Sequence, residues 1–127
     1  MFKAKATFSS ISVDDLPKAK TFYTKTLGLD VEKEDTGLRL KLPGGGVLYL
    51  YAKDDHKPAT YTTFNFVVED VDEAVDALAE QGVEFEHYDG DYKTDNKGIM
   101  RGGSNMGPDI AWFKDPAGNI LSVLEHE

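Results

Sequence analysis

Few side chains in this 127-residue sequence combine a reactive type with the spacing that catalysis or metal binding requires. The chain has no cysteine, which excludes disulfides, thiolate nucleophiles and thiolate metal sites. Its three histidines, His56, His87 and His126, form no ligand pair at strand or helix spacing with one another or with Glu125. The serines near the N-terminus have no His–Asp partner in the sequence, so nucleophilic catalysis is not favoured.

Ser122 is the most informative polar residue, because it stands in an otherwise apolar strand over residues 120–124. We favour the interpretation that it is a small polar group facing a ligand cleft. The alternative is a serine tolerated on a partly hydrated strand. Glu125 lies three residues further on, so on a regular strand it points to the opposite face.

Charge and hydropathy restrict the partners of the protein. The sequence has 14 basic and 23 acidic residues, a net charge of −9. This balance argues against a nucleic-acid partner, because neutralising phosphates needs a basic face, and it is compatible with a cationic ligand. No apolar run approaches the roughly 20 residues of a membrane span, and the N-terminus lacks a signal-peptide core. We therefore expect a cytoplasmic protein with a small-molecule ligand, no nucleic-acid partner and no membrane partner.

An internal repeat organises the elements that must position any site. The stretches "ISVDDLPKAKTFYTKTLGLDVE" and "FVVEDVDEAVDALAEQGVEFE" align at a shift of 55 residues. Asp15 then aligns with Asp70, each before an amphipathic helix that it can cap. Dropping one residue aligns Gly28 with Gly82, each able to end its helix in the left-handed conformation.

Each half predicts the element order βαβββ. In the second half, strands are expected over residues 83–87, 110–113 and 120–124, with a weak strand and a loop between His87 and Pro108. The predicted fold class is α+β, with two tandem modules that form one curved mixed sheet around an open concave cleft. We expect a single domain over residues 1–127, with module 1 at about 5–55 and module 2 at about 60–127.

Three motifs carry a family resemblance over residues 8–125. "DL…A…FY…LG", beginning at Asp15, resembles the opening of the vicinal oxygen chelate superfamily, which includes glyoxalases, bleomycin-resistance proteins and extradiol dioxygenases. "EDVDEAVDALAEQGVEF" is similar to its second-half helix, and "FKDPAGNILSVLE" is similar to its C-terminal hairpin. The three motifs occur in the family's order, so the resemblance implies the fold described above.

The resemblance also implies where a metal would bind. In metal-dependent members, His and Glu ligands come from four strand positions, the first and last strand of each half. Those positions correspond here to Phe8, Thr63, Ser122 and either Tyr49 or Tyr51. None of them is an imidazole or a carboxylate, so the resemblance implies a cleft without the usual metal ligands and without a cofactor.

The predicted ligand site is aromatic and soft. Aromatic faces stack on planar molecules and attract cations, and methionine adapts to varied shapes. We expect Phe64 and Phe66 in the helix-side core, and the sequence leaves Trp112 open between cleft and core. Lys97 and Arg101 are expected to be solvated, with contact to an anionic ligand as the alternative. The predicted ligand-binding residues are Phe8, Tyr49, Tyr51, Thr63, Met100, Met106, Trp112 and Ser122.

These observations predict a glyoxalase/bleomycin-resistance-like protein that binds a small molecule, aromatic or cationic in character, without transforming it. Such a protein would serve in sequestration or antibiotic resistance. One alternative is a metal-dependent lyase, isomerase or dioxygenase of the glyoxalase type. Another is a metal-free enzyme whose acid or base is His87 or Asp109. We expect a homodimer, because exposed sheet edges need covering and the family usually pairs its subunits.

Overall fold

The computed structural model describes residues 1–102 and 107–125 of the chain. The chain divides into two compact units, Met1–Pro58 and Ala59–Glu127. Each unit holds one four-stranded mixed sheet and one main α-helix, so the α+β class and the two modules are confirmed. No helix in the described part of the chain is long and apolar enough to cross a membrane.

The first unit has the expected βαβββ order. Its strands lie in the order β1-β4-β3-β2, with β1 parallel to β4 and the other pairs antiparallel. Helix α1 continues directly into a π-helical turn, Phe22–Thr26. The elements are β1 (Ser9–Val13), α1 (Leu16–Thr21), β2 (Asp30–Glu34), β3 (Gly37–Lys41) and β4 (Val47–Ala52).

The helix starts and ends of both units follow the local signals in the sequence. The Asp15 side chain accepts a hydrogen bond from the Lys18 N–H at 3.0 Å, and the Asp70 side chain accepts one from the Glu73 N–H at 3.1 Å. Each bond satisfies a backbone donor in the first helical turn that has no partner within the helix. Gly28, just beyond the first helix, has a φ of 70°, which a residue with a Cβ adopts only with strain.

The second unit repeats the design with strand order β5-β8-β7-β6. Strand β5 runs parallel to β8, while β8, β7 and β6 are antiparallel neighbours. A short 3₁₀ turn, Gly90–Tyr92, precedes β6. The elements are β5 (Thr62–Val68), α2 (Val71–Glu80), β6 (Ile99–Met100), β7 (Ile110–Lys114) and β8 (Ile120–Glu125).

The prediction of a strand over residues 83–87 is wrong. Only Phe85 pairs there, in an isolated bridge to Phe113, and the Glu86 N–H donates to the Trp112 carbonyl at 2.8 Å. The reason is that β6 occupies the remainder of the same edge of β7, where Ile99 pairs with Ala111. The weak strand expected between His87 and Pro108 is therefore β6, and residues 83–87 are left with a short pairing.

The hairpin between β7 and β8 is closed by a buried turn. Asp115 is only 4% exposed and accepts hydrogen bonds from the Ala117 N–H, the Asn119 N–H and the Asn119 side-chain amide at 2.8–3.0 Å. Gly118 takes the left-handed conformation, with a φ of 86°. This turn sets the register that places Trp112 opposite Ser122.

Candidate functional site

The two faces of the second sheet differ sharply in character. Ala111, Phe113, Leu121 and Val123 are buried on one face. Glu125 shares that face by strand alternation, and its carboxylate accepts a hydrogen bond from the Val71 N–H at the start of α2, at 3.0 Å. This face therefore packs against α2, and Glu125 points away from Ser122 as predicted.

Trp112 lies on the opposite face. Trp112 pairs with Ser122 on β8, and Ser122 in turn pairs with Asn65 on β5. The indole N–H donates a hydrogen bond to the Thr62 hydroxyl at 3.1 Å, which fixes the orientation of the ring. The choice that the sequence left open is thus resolved, because the hairpin register turns Trp112 away from the helix-side core.

A cavity of about 500 Å³ lies beside this ring, within the second unit. The ring centroid of Trp112 is 5.5 Å from that of Tyr88 and 6.4 Å from that of Tyr92. The rings meet at 63° and 86°, the edge-to-face arrangement that aromatic quadrupoles favour. The remaining lining residues are Thr60, Tyr61, Thr62, Asp89 and Ile120. A cavity with aromatic walls and a few polar groups suits a small planar ligand.

The wall that carries Tyr88, Asp89 and Tyr92 is a closed loop. The Tyr88 N–H donates to the Thr94 hydroxyl at 2.9 Å, and the Thr94 N–H donates to the Tyr88 carbonyl at 3.0 Å. Gly90 makes the turn between them with a φ of 75°. Sequence reasoning missed these three lining residues, although "YDGDY", with two tyrosines flanking a glycine turn, was the available signal.

The electrostatics of the cavity are simple. Among its described lining residues, Asp89 alone carries a formal charge. Burial is the main cause that raises the pKa of the Tyr88 phenol; Glu86 also raises it, and Lys114 opposes the shift. Tyr88 is therefore a neutral hydroxyl near neutral pH. Glu86 and Lys114 form an ion pair at 3.4 Å, so their opposite charges largely cancel in the surroundings of Tyr88.

The surroundings of Ser122 and Thr63 differ from the open cleft face on which we expected both side chains. Ser122 is fully buried, and its hydroxyl donates to the Asn65 side-chain oxygen at 2.5 Å, so it is not an open polar group on the sheet face. Thr63 sits where the register shifts between Thr62 and Phe64, and its hydroxyl donates to the Ile120 carbonyl at 3.0 Å. Because of this irregularity, Thr62 and not Thr63 contacts Trp112 and lines the cavity.

The predicted residues of the first unit lie on the sheet face that carries Ser10. Tyr49 pairs with Ser10, and Tyr51 pairs with Ser12. Phe8 is 65% exposed, just before β1, and its ring meets Tyr49 edge to face at 6.3 Å. These observations bring Phe8 and Tyr49 together, and whether they contact a ligand stays a prediction.

Two methionines complete the predicted set. Met100 is half-buried in β6 and pairs with Ile110, which shares a face with Trp112, but Met100 does not line the cavity. Met106 lies outside the described residues, as does His126.

Lys97 and Arg101 are not simply solvated. The Arg101 guanidinium donates two hydrogen bonds to Asp72 at 2.8 and 2.9 Å, and a third to Asp95 at 3.0 Å. Lys97 pairs with Asp72 at 3.1 Å and with Asp76 at 3.0 Å. Hydrogen bonds from Arg101, followed by those from Lys97, hold the pKa of the Asp72 carboxyl well below its usual range. Both cations therefore form ion pairs that link the segment before β7 to α2. Their charges are used in these pairs and give no support for an anionic ligand.

The residues that we considered for catalysis or for metal binding are dispersed. His87 is exposed. Asp109 accepts hydrogen bonds from the Gly102 N–H at 2.8 Å and from Arg101 at 3.4 Å, so it belongs to the fastening of that segment. The His56 ring is hydrogen-bonded to the Ser12 hydroxyl at 2.6 Å in the first unit. Over residues 1–102 and 107–125, no three His, Asp or Glu side chains converge in a way that could hold a metal ion.

Two successive βαβββ modules, each with its own mixed sheet, define a paired-module α+β protein, here with an aromatic cavity in the second module. The family model of the Glyoxalase/Bleomycin resistance protein/Dioxygenase superfamily matches residues 6–123. The chain belongs to this superfamily, as its motifs predicted. No curated protein matches the sequence closely enough to count as a relative.

Solved structures with the same fold have diverse descriptions. A glyoxalase family protein from Enterococcus faecalis is 25% identical with a TM-score of 0.70, and the match covers 98% of this chain and 100% of that one. TnmS3, an antibiotic binding protein from Streptomyces sp. CB03234, is 24% identical with a TM-score of 0.68, over 99% and 100% of the two chains. Lactoylglutathione lyase from Agrobacterium tumefaciens is 21% identical with a TM-score of 0.68, over 96% and 94%. Because TnmS3 and the lyase are less than 25% identical to this chain, their similarity shows a shared fold and nothing more.

Proposed function

We propose that this protein binds a small planar aromatic molecule in the Trp112 cavity and releases it chemically unchanged. The observation that carries the proposal is the cavity itself, about 500 Å³ in volume and lined by Trp112, Tyr88 and Tyr92. A planar ligand would gain stacking and burial of apolar area there.

The donor chemistry of the family's metal positions supports binding without metal-dependent conversion. Thr63 and Ser122 use their hydroxyls in hydrogen bonds to Ile120 and Asn65. Phe8 has no donor atom, and the Tyr49 hydroxyl is hydrogen-bonded to Thr36. These residues do not fit a divalent ion that requires imidazole and carboxylate ligands. No metal-dependent step is therefore part of the proposal.

A biological role in sequestering a planar toxic compound, such as an antibiotic, would follow from such binding. TnmS3, an antibiotic binding protein, has the same fold, so binding of an antibiotic is compatible with this architecture. Phe8, Tyr49 and Tyr51 of the first unit stay predicted ligand-binding residues.

The test uses the single tryptophan as its own reporter. Because Trp112 is the only indole, a planar compound that stacks in the cavity should change the tryptophan emission in a saturable manner. The compound should then be recovered unaltered by mass spectrometry after prolonged incubation, and the affinity should be the same with and without a metal chelator. Conversion of the compound, or an affinity that disappears with chelator, would contradict the proposal.

The Thr94 hydroxyl should control the affinity through the loop that it closes. Thr94→Val removes the acceptor of the Tyr88 N–H, a hydrogen bond of the order of 1 kcal/mol, and should weaken binding about fivefold. Thr94→Ser retains the hydroxyl and should bind like the wild type. Calorimetric titration with the same planar compound measures both. Equal affinities of the two variants would mean that the loop does not depend on this hydrogen bond.

We also propose that the protein forms a homodimer. Strands β1, β2, β5 and β6 end their respective sheets, and Phe8 and Val67 are 65% and 64% exposed. Open edges and exposed apolar side chains favour association with a second copy. Light scattering at micromolar concentration should give the dimer mass, and a monomer mass throughout would refute this proposal.

A further inference from the structure

We infer that the Trp112 cavity selects planar molecules that carry a positive charge, with Asp89 as the charge partner. This inference rests on the proposed function and names the class of ligand: an organic cation whose charge is part of, or attached to, an aromatic ring. The carrying observation is a single carboxylate in a cavity whose other walls are mainly aromatic.

The lining leaves no competing charge. Among the described residues that form it, none is a lysine, arginine or histidine. Lys114 is near Tyr88, but it is paired with Glu86 at 3.4 Å. Asp91 lies in the 3₁₀ turn Gly90–Tyr92 and Lys93 follows that turn directly, so two opposite charges lie near the cavity without lining it. Because Asp89 is the one charged group among the described lining residues, the cavity favours a cation over a neutral or anionic molecule of equal shape.

The aromatic walls act in the same direction. Tyr88 and Tyr92 stand at steep angles to Trp112, so neither tyrosine ring lies in the plane of the indole that lines the same cavity. Each face carries negative quadrupole potential, which attracts a cation held within about 6 Å. Because Tyr88 stays a neutral phenol, its hydroxyl can also donate a hydrogen bond without adding charge. The rings thus supply both stacking for the planar part and attraction for its charge.

The outer wall is open to the ligand. Tyr61 and Tyr92, which line the cavity, are 69% and 64% exposed, so a ligand can reach them from the solvent. Asp89 is also exposed, so a bound ring system that covers these tyrosines would remove part of the water around its carboxylate. Excluding water strengthens the attraction between the Asp89 carboxylate and a cation.

Two probes of matched shape separate charge from planarity. 1-Methylquinolinium is a fixed cation, and 1-methylnaphthalene is its neutral isostere. Calorimetric titration of the wild type should show the cation binding at least about fivefold more tightly, a ratio typical of one partly solvated charge contact. Raising the salt concentration should lower the affinity for the cation and leave the affinity for the neutral probe unchanged.

Substitution of Asp89 assigns the effect to one residue. Asp89→Asn retains the size and polarity of the side chain, so it should lower the affinity for 1-methylquinolinium about fivefold without changing that for 1-methylnaphthalene. Asp91→Asn removes an equal charge from the same turn, outside the lining, and should have a clearly smaller effect. Equal losses from both variants, or an equal loss for both probes, would overturn the role of Asp89.

The possible failures are distinguishable. If the two probes bind the wild type equally, the selection for cations is wrong and the proposed binding of planar molecules stands. If neither probe binds the folded wild type, the proposed function itself is contradicted. Tighter binding of the cation that depends on Asp89 supports both.

Discussion

Replacing Trp112 with leucine is expected to abolish measurable binding of planar ligands. The indole forms one wall of the cavity, and both Tyr88 and Tyr92 pack edge to face against it. Leucine cannot stack on a planar ring and leaves these tyrosines without their common neighbour. Truncation of a central aromatic anchor typically costs 2–4 kcal/mol of binding free energy, or roughly 30- to 1,000-fold in affinity. Calorimetric titration measures the loss, because the variant has no tryptophan emission.

Trp112→Phe is the matched control. Phenylalanine retains an aromatic face but cannot donate to the Thr62 hydroxyl, so the ring loses the hydrogen bond that orients it. We expect an affinity between those of the wild type and the leucine variant. Circular dichroism and thermal melting should show that both variants are folded. A folded Trp112→Leu variant with wild-type affinity would place the ligand site elsewhere.

Gly37→Ala should destabilise the protein more than any other single methyl addition in the first unit. A Cβ at Gly37 would lie 2.1 Å from the Leu50 carbonyl oxygen and 2.9 Å from Cζ of the Tyr49 ring. The first of these atoms belongs to the backbone of β4, which cannot move without shifting the β3–β4 pairing. We expect a loss of at least about 3 kcal/mol in the free energy of unfolding, the range of severe overpacking. Urea denaturation of the purified variant measures it.

Gly46→Ala provides the comparison. A Cβ there meets only the Leu42 side chain, at 3.6 Å, an ordinary van der Waals distance. Its stability should stay within about 0.5 kcal/mol of the wild type, or rise slightly because alanine restricts the unfolded chain. If both glycine variants unfolded at the same urea concentration, the close approach of β4 to Gly37 would be wrong.

The sequence anticipated only part of what the Trp112 and Gly37 predictions depend on. "EDTG" indicated a turn at Gly37, but nothing in the sequence revealed that the Leu50 carbonyl lies against it. Trp112 was identified as a candidate, yet its face was undecided. In both cases the missing information was the pairing between strands that are distant in the sequence.

The local features could be predicted because their causes are local. Asp15 and Asp70 cap the helices that follow them within three residues, the repeat at a shift of 55 predicted the paired modules, and three short motifs predicted the family. Alternation along β8 also placed Glu125 opposite to Ser122 correctly, since side chains change face at every residue of a regular strand.

Only the tertiary structure decided the candidate site. The Asp115 turn sets the register that turns Trp112 out of the core, and the irregularity after Thr62 exchanges the roles of Thr62 and Thr63. Ser122 is buried because its neighbours across the sheet, Trp112 and Asn65, are both larger. Strand alternation repeats every two residues, so a shift of one residue reverses the face of every side chain beyond it. Contacts between strands and the closure of a loop determine on which face each side chain lies. These contacts cannot be derived from the order of residues along one strand.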